Sequence, residues 1–210
     1  MLFRSQRRTQ EERRADTSGR LLKATIDLLL QKGYSGFRIA DAAAKAKVTR
    51  GGQTHHFATK NDLIEAAIDN LFVNEVSQAQ VDAAGSADCE ILSHAARHAQ
   101  QFLTSKLFQV SFKMLISLRR REDLADRVRA ISARSRAPIE QAWTGRMVQA
   151  GIDPKDAEAV LGLLWSVQRS IVIETLIGGD PGGVGEGELE FTVDLLNDYL
   201  EKRKQEHVAA

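Results

Sequence analysis

Cysteine is almost missing from this chain: one thiol, Cys89, stands among 210 residues. One thiol makes neither an internal disulfide nor a zinc cage, so a disulfide framework is excluded. Proline is scarce as well, with three in all and none before Pro138. Together with few apolar–polar alternations, this argues for helices rather than strands. No apolar run approaches the ~20 residues a membrane-spanning helix requires. The start, Met1 to Arg14, holds the pairs Arg7-Arg8 and Arg13-Arg14 but no apolar core. No export signal is therefore expected, and a reduced cytoplasmic setting is. What remains is a globular composition, 43% hydrophobic and 27% charged, in a chain long enough to bury ~70% of the surface its unfolded form exposes.

Net charge is also nearly absent, at +1, but it is unevenly spread. Residues 1 to 60 hold 13 Lys/Arg against 5 Asp/Glu, a balance of +8; residues 61 to 210 hold 16 against 23, a balance of −7. A basic leading segment on an acidic body points to a polyanionic partner for that segment, the alternative being a solvated arginine-rich tail. The expected division is 1–60 and 61–210.

Apolar residues recur at intervals of three and four throughout. A first helix is expected from about Asp16 to Lys32, with Leu21, Leu22, Thr25, Ile26, Leu28 and Leu29 as its apolar stripe and Gly33 ending it. A short alanine-rich helix follows, about Arg38 to Ala46. Thr49 offers a cap to a third helix beginning at Arg50, and Lys60-Asn61-Asp62 opens a fourth. Ala84-Gly85-Ser86 breaks the chain before a stretch from about Asp88 to Thr104, and Arg119 to Asp123 forms a charged corner. A long helical pattern runs from about Leu124 to Ala150, where Pro138, lacking an amide proton, predicts a kink or restart. Asp153-Pro154 starts the next helix, to about Ile177. Six of the fifteen glycines fall in 178–187, a loop rather than a phosphate cradle, since no strand precedes it. A last helix spans about Glu188 to Lys204.

The second and third helices are joined by Lys47-Val48-Thr49, a connection of helix-turn-helix length. The third, Arg50-Gly51-Gly52-Gln53-Thr54-His55-His56-Phe57, is a poor core helix, with only Phe57 strongly apolar and two glycines that each weaken it by ~1 kcal/mol. Those glycines let a backbone approach a large partner closely. Arg50, Gln53 and Thr54 are able to pair with base edges in a major groove, and Lys60 supplies positive potential for phosphates.

The run Leu21-Leu22-x-Ala24, Gly33-Tyr34, Ile39, Ala43, Ala46, Val48-Thr49-Arg50-Gly51, His55-His56-Phe57 and Lys60-x-x-Leu63 resembles the DNA-binding head of the TetR family of bacterial transcriptional regulators. The likeness covers roughly residues 13 to 65. It implies an all-α fold: a three-helix helix-turn-helix head on a larger helical body that binds a small-molecule effector and dimerises through the last two helices. It also implies a repressor, without cofactor or catalytic activity, on a palindromic double-stranded operator from which ligand releases it. Carried over by position, Arg38, Thr49, Arg50, Gly51, Gly52, Gln53, Thr54, His55 and Lys60 would touch DNA. The chain departs from the family pattern at Phe37-Arg38, where a Thr or Ser pair is common, and at Ala42, Lys47, Gln53 and Thr54, where a larger aliphatic, Gly, an aliphatic and Tyr are usual.

Bulky side chains collect in the middle of the body. Phe102, Phe112, Met114, Trp143, Met147 and Trp165 are expected to be core or the wall of an apolar or aromatic ligand pocket, with Gln168 and Arg169 as its polar groups. A body filled by side chains that senses nothing is the alternative, and an all-helical enzyme with a basic head a more distant one. Adjacent His55-His56 point about 100° apart on a helix with no carboxylate or thiol at ligand spacing nearby, and His94/His98, an i, i+4 pair that could bind zinc, lacks the Glu of H-E-x-x-H because Ala95 follows His94, so no metal is expected. Cys89 has no basic neighbour in sequence to activate it.

Overall fold

The computed structural model describes residues 9–49, 57–117, 122–176 and 186–209. Among them are eight α-helices and no strand: α1 Gln10–Gly36, α2 Ile39–Lys45, α3 Lys60–Ala84, α4 Ile91–Thr104, α5 Lys106–Ser117, α6 Glu122–Gln149, α7 Pro154–Leu176 and α8 Glu186–Ala209, with a short 3₁₀ turn at Asp88–Glu90. Close packing divides the chain into two units. One holds Met1–Leu71 and Gln109–Ile131, the other Phe72–Phe108 and Ser132–Ala210.

In the first unit, α1 begins six residues earlier than its apolar stripe suggests. Thr9 accepts from the Glu12 amide while Glu12 accepts from the Thr9 amide at 2.7 Å, a reciprocal capping box that starts the helix ahead of Arg13 and Arg14. The helix breaks at Gly33, whose φ of 62° and ψ of −178° are open only to a residue without Cβ, and the turn beyond it delivers Tyr34 and Phe37 into the core. Leu21, Leu28 and Leu29 on α1 and Ala42 and Ala43 on α2 are buried, as are Leu63, Ile64 and Ile68 at the start of α3. Lys32–Asp41 at 2.7 Å and Lys45–Asp27 at 3.5 Å tie α1 to α2 at the surface, and the Arg20 guanidinium donates to the Ala46 carbonyl at 3.0 Å.

α2 closes in a Schellman turn: the Val48 amide donates to Ala43 O and the Lys47 amide to Ala44 O. Lys47, at φ 55°, occupies the left-handed position of that turn. The Thr59 amide donates to the Asp62 carboxylate and the Asp62 amide to the Thr59 hydroxyl, both at 3.1 Å, to open α3. The Thr59 hydrogen bonds, with Arg127 beside it, hold the Asp62 carboxyl below the usual range. Arg127 on α6 also reaches Glu65 at 2.5 Å, so the start of α3 is pinned from a second element of the same unit.

In the second unit, α4 packs on α7, and α8 on both. α6 runs through Pro138 as one helix, so of the kink or restart expected there the restart does not occur. The helix ends in a second Schellman turn with Gly151 at φ 87°. Asp153 then caps α7 by accepting from the Lys155 amide at 2.9 Å, as its sequence predicts. The buried Asp156 carboxylate receives Tyr199 at 2.8 Å and Arg203 at 3.1 Å, tying α7 to α8.

Candidate functional site

In the first unit, the residues expected to read DNA follow directly on the α2 turn. Thr49 is exposed at its end, and Arg38 is exposed at the N-cap of α2 in extended backbone. Arg50, Gly51, Gly52, Gln53, Thr54 and His55 lie outside the described residues, as do His56 and the charged corner at 118–121.

Lys60 stands elsewhere than on an open phosphate-facing surface. Its ammonium donates to Tyr34 O at 2.6 Å and Phe37 O at 2.9 Å, and it sits 4.0 Å from the centre of the Tyr34 ring. A cation on the last carbonyls of a helix is favoured by the helix dipole. Tyr34 in turn donates through its hydroxyl to Asn61 Oδ1 at 3.0 Å. Lys60 therefore locks the end of α1 to the start of α3.

A surface hollow of about 500 Å³ is lined by Arg13, Arg14, Arg20, Lys47 and Thr49 among others. It lies between the N-terminal half of α1 and the turn after α2. Arg13 and Arg14 were not among the positions the family likeness supplied. The signal that contained them was the +8 balance of the leading segment, together with Thr9-x-x-Glu12, which makes them helical.

In the second unit, six of the eight expected pocket residues are present: Phe102, Trp143, Met147, Trp165, Gln168 and Arg169. Phe112 and Met114 belong to the first unit. Trp143 and Met147 are fully buried, whereas Arg169 is half-buried and donates to Ser166 Oγ at 3.0 Å. Burial, with Arg136 nearby, lowers the Arg169 pKa from its ordinary value. His98 is the residue that sequence spacing ranked too low. Its ring centre lies 5.6 Å from that of Trp143 and 6.4 Å from that of Trp165, while Phe102 lies 5.7 Å from Trp165. The Nδ1–H of His98 donates to Asp82 at 3.0 Å, and Glu75 stands 3.4 Å from Nε2. Burial raises the Glu75 pKa against the pull of His98. His94, by contrast, faces Glu90 at 3.4 Å, so the two histidines do not share a centre. Among the described residues, no group of three His, Cys, Asp or Glu side chains is placed to hold a metal ion.

One unit carries the exposed turn after α2 beside a basic hollow, and the other an aromatic core that includes polar groups. Known proteins of similar sequence and fold are transcriptional regulators. The sequence model described as "Bacterial regulatory proteins, tetR family" matches residues 21–67. The HTH-type transcriptional regulator CymR of Pseudomonas putida is 33% identical over 172 residues, which is 81% of this chain and 84% of that one. An HTH-type transcriptional repressor of Mycobacterium tuberculosis is 35% identical over 65 residues, 31% of this chain and 35% of that one. Among solved structures, a transcriptional regulator from Rhodococcus sp. Rha1 superposes with a TM-score of 0.63 at 18% identity, covering 88% of this chain and 96% of that one. The multidrug binding protein EbrR, complexed with imidazole, gives 0.55 at 23% identity over 87% and 94%. The chain belongs to the TetR family of bacterial transcriptional regulators.

Proposed function

We propose that the protein is a dimeric cytoplasmic repressor that holds a palindromic operator through residues 49–56 and leaves it when a small molecule enters the second unit. The observation that carries the DNA half is positional. The family match, 21–67, extends from within α1 into the start of α3, so 50–56 fall where the family's reading helix stands, beside a basic hollow. Arg50, Gln53 and Thr54 would read bases. Arg38, Thr49 and His55 would touch the backbone, Gly51 and Gly52 would permit close approach, and Lys60 would hold the segment in register while adding charge. In a dimer two such segments would enter successive major grooves ~34 Å apart.

The surface of α8 supports the dimer. Phe191 is 68% exposed and Leu195 54%, with Tyr199 one further turn along the same face, and Leu163 is exposed on α7. Large apolar side chains repeated at i, i+4 and i+8 on a soluble helix mark a surface that is covered in the assembled protein.

Gel-shift titrations on operator and on random DNA test the DNA half. Arg50→Ala and Gln53→Ala are expected to narrow the gap between the two DNAs, each by about 1–3 kcal/mol. Lys60→Ala is expected to weaken both equally. An unchanged profile for all three variants overturns the assignment.

A further inference from the structure

Native interiors leave few polar atoms without partners, because each costs about 1–3 kcal/mol. Among the described residues, five buried side-chain polar atoms have no hydrogen-bond partner, and four of them belong to one cluster of the second unit: His98 Nε2, Trp143 Nε1, Trp165 Nε1 and Gln168 Oε1. All four side chains are more than nine-tenths buried, at 2%, 0%, 7% and 3% exposure respectively. Their placement is mutual. The two indoles flank His98. Gln168 lies three residues after Trp165 on α7, and its amide nitrogen donates to Ala96 O at 2.8 Å, two residues before His98 on α4.

We infer that this cluster takes an uncharged aromatic molecule carrying a hydroxyl or an equivalent group that both donates and accepts hydrogen bonds. The inference rests on the ligand-responsive reading above and deepens it. The two indole N–H groups only donate and need an acceptor, whereas Gln168 Oε1 only accepts and needs a donor. His98 Nε2, 3.4 Å from Glu75, belongs to the same cluster. A hydrocarbon meets none of these needs, a carboxylate has no donor and an ammonium has no acceptor. Asp82 and Glu75, both against His98, further disfavour an anion. Phe102, Trp143 and Trp165 supply the aromatic faces of the cluster, against which a ring would pack edge-on or offset.

Both tryptophans of the chain are in this cluster, so intrinsic emission reads the site directly. The full-length protein is titrated with p-cresol, toluene, 4-methylbenzoate and benzylammonium, with excitation at the red edge of tryptophan absorption and the unfolding temperature followed in parallel. The expected result is saturable quenching by p-cresol at concentrations about tenfold below those of the other three. Gln168→Leu should remove that advantage while leaving toluene unchanged, and Trp143→Phe, which keeps a ring but loses the N–H, should reduce it with Trp165 still reporting. If toluene, 4-methylbenzoate or benzylammonium binds as tightly as p-cresol, the chemical class is overturned and the ligand-responsive reading stands. If no probe changes emission or raises the unfolding temperature, both fall, and the body is a filled core.

Discussion

Two residues with left-handed backbone sit in opposite circumstances. Gly33, at φ 62° and ψ −178°, is the only residue type that adopts its conformation without strain, and nothing near it would obstruct a Cβ. Gly33→Ala should therefore cost stability through the backbone alone, about 1–3 kcal/mol in urea unfolding. Lys47 holds φ 55° in a Schellman turn whose usual occupant is glycine. Lys47→Gly should raise the unfolding midpoint by about 1 kcal/mol, since the left-handed region costs a side-chain-bearing residue about that much. The same change removes a cation from the basic hollow and should weaken DNA binding, so stability and affinity move in opposite directions. That the family commonly has glycine here was legible in the sequence. That this chain keeps the turn regardless was not, because a φ angle follows from the hydrogen bonds of Lys47 and Val48 and not from the side chain. The intramolecular partners of Lys60 were hidden for a related reason. Its charge was visible, but the Tyr34 and Phe37 carbonyls that receive it depend on how the chain turns after Gly33.

Among the helices, those with a regular apolar stripe were legible and their charged ends were not. The expected start of α1 at Asp16 ignored Glu11-Glu12-Arg13-Arg14, which has no apolar period, although the capping residues Thr9 and Glu12 were there to be read. Pro138 left a kink or a restart open in the sequence, and the helix continues past it. Its missing amide removes one hydrogen bond, and the packing of Val128 and Ile131 before it and Ile139 and Trp143 after it, all buried, holds the helix through the defect. The aromatic half of the second-unit cluster was legible from residue size, and Gln168 from its isolation on an apolar helix. Glu75 and Asp82 were not, because α3 and α4 bring them to His98 from 23 and 16 positions away. Glu75 also gives α3 a pH dependence. Its folded pKa lies above the ordinary 4.5, so its contribution to stability is full below that value and is lost as pH rises through the raised one. Glu75→Gln should flatten this slope, making the variant gain on the parent in urea midpoints as pH rises above the ordinary 4.5.

At the scale of the whole molecule, the near-zero charge conceals a basic leading segment and an acidic remainder. Phosphate contacts confined to that segment should give an affinity that falls steeply with salt. The exposed stripe on α8 should govern assembly: Phe191→Glu with Leu195→Glu is expected to yield a monomer in sedimentation and to abolish operator binding, while each subunit keeps its helical circular dichroism. Retention of a dimer would place the interface elsewhere.

The two compact units have no seam between them in the sequence. α3 belongs to one unit through Leu71 and to the other from Phe72, and α6 changes allegiance after Ile131, each in the middle of an unbroken helix. A chimera that joined this head to another body at a single crossover would leave behind Gln109–Ile131, and with it the Arg127 partner of Asp62 and Glu65. Recombination among relatives therefore has to carry two separated stretches together. Within the first unit, residues 1–71 and 109–131 act as one piece in any such exchange.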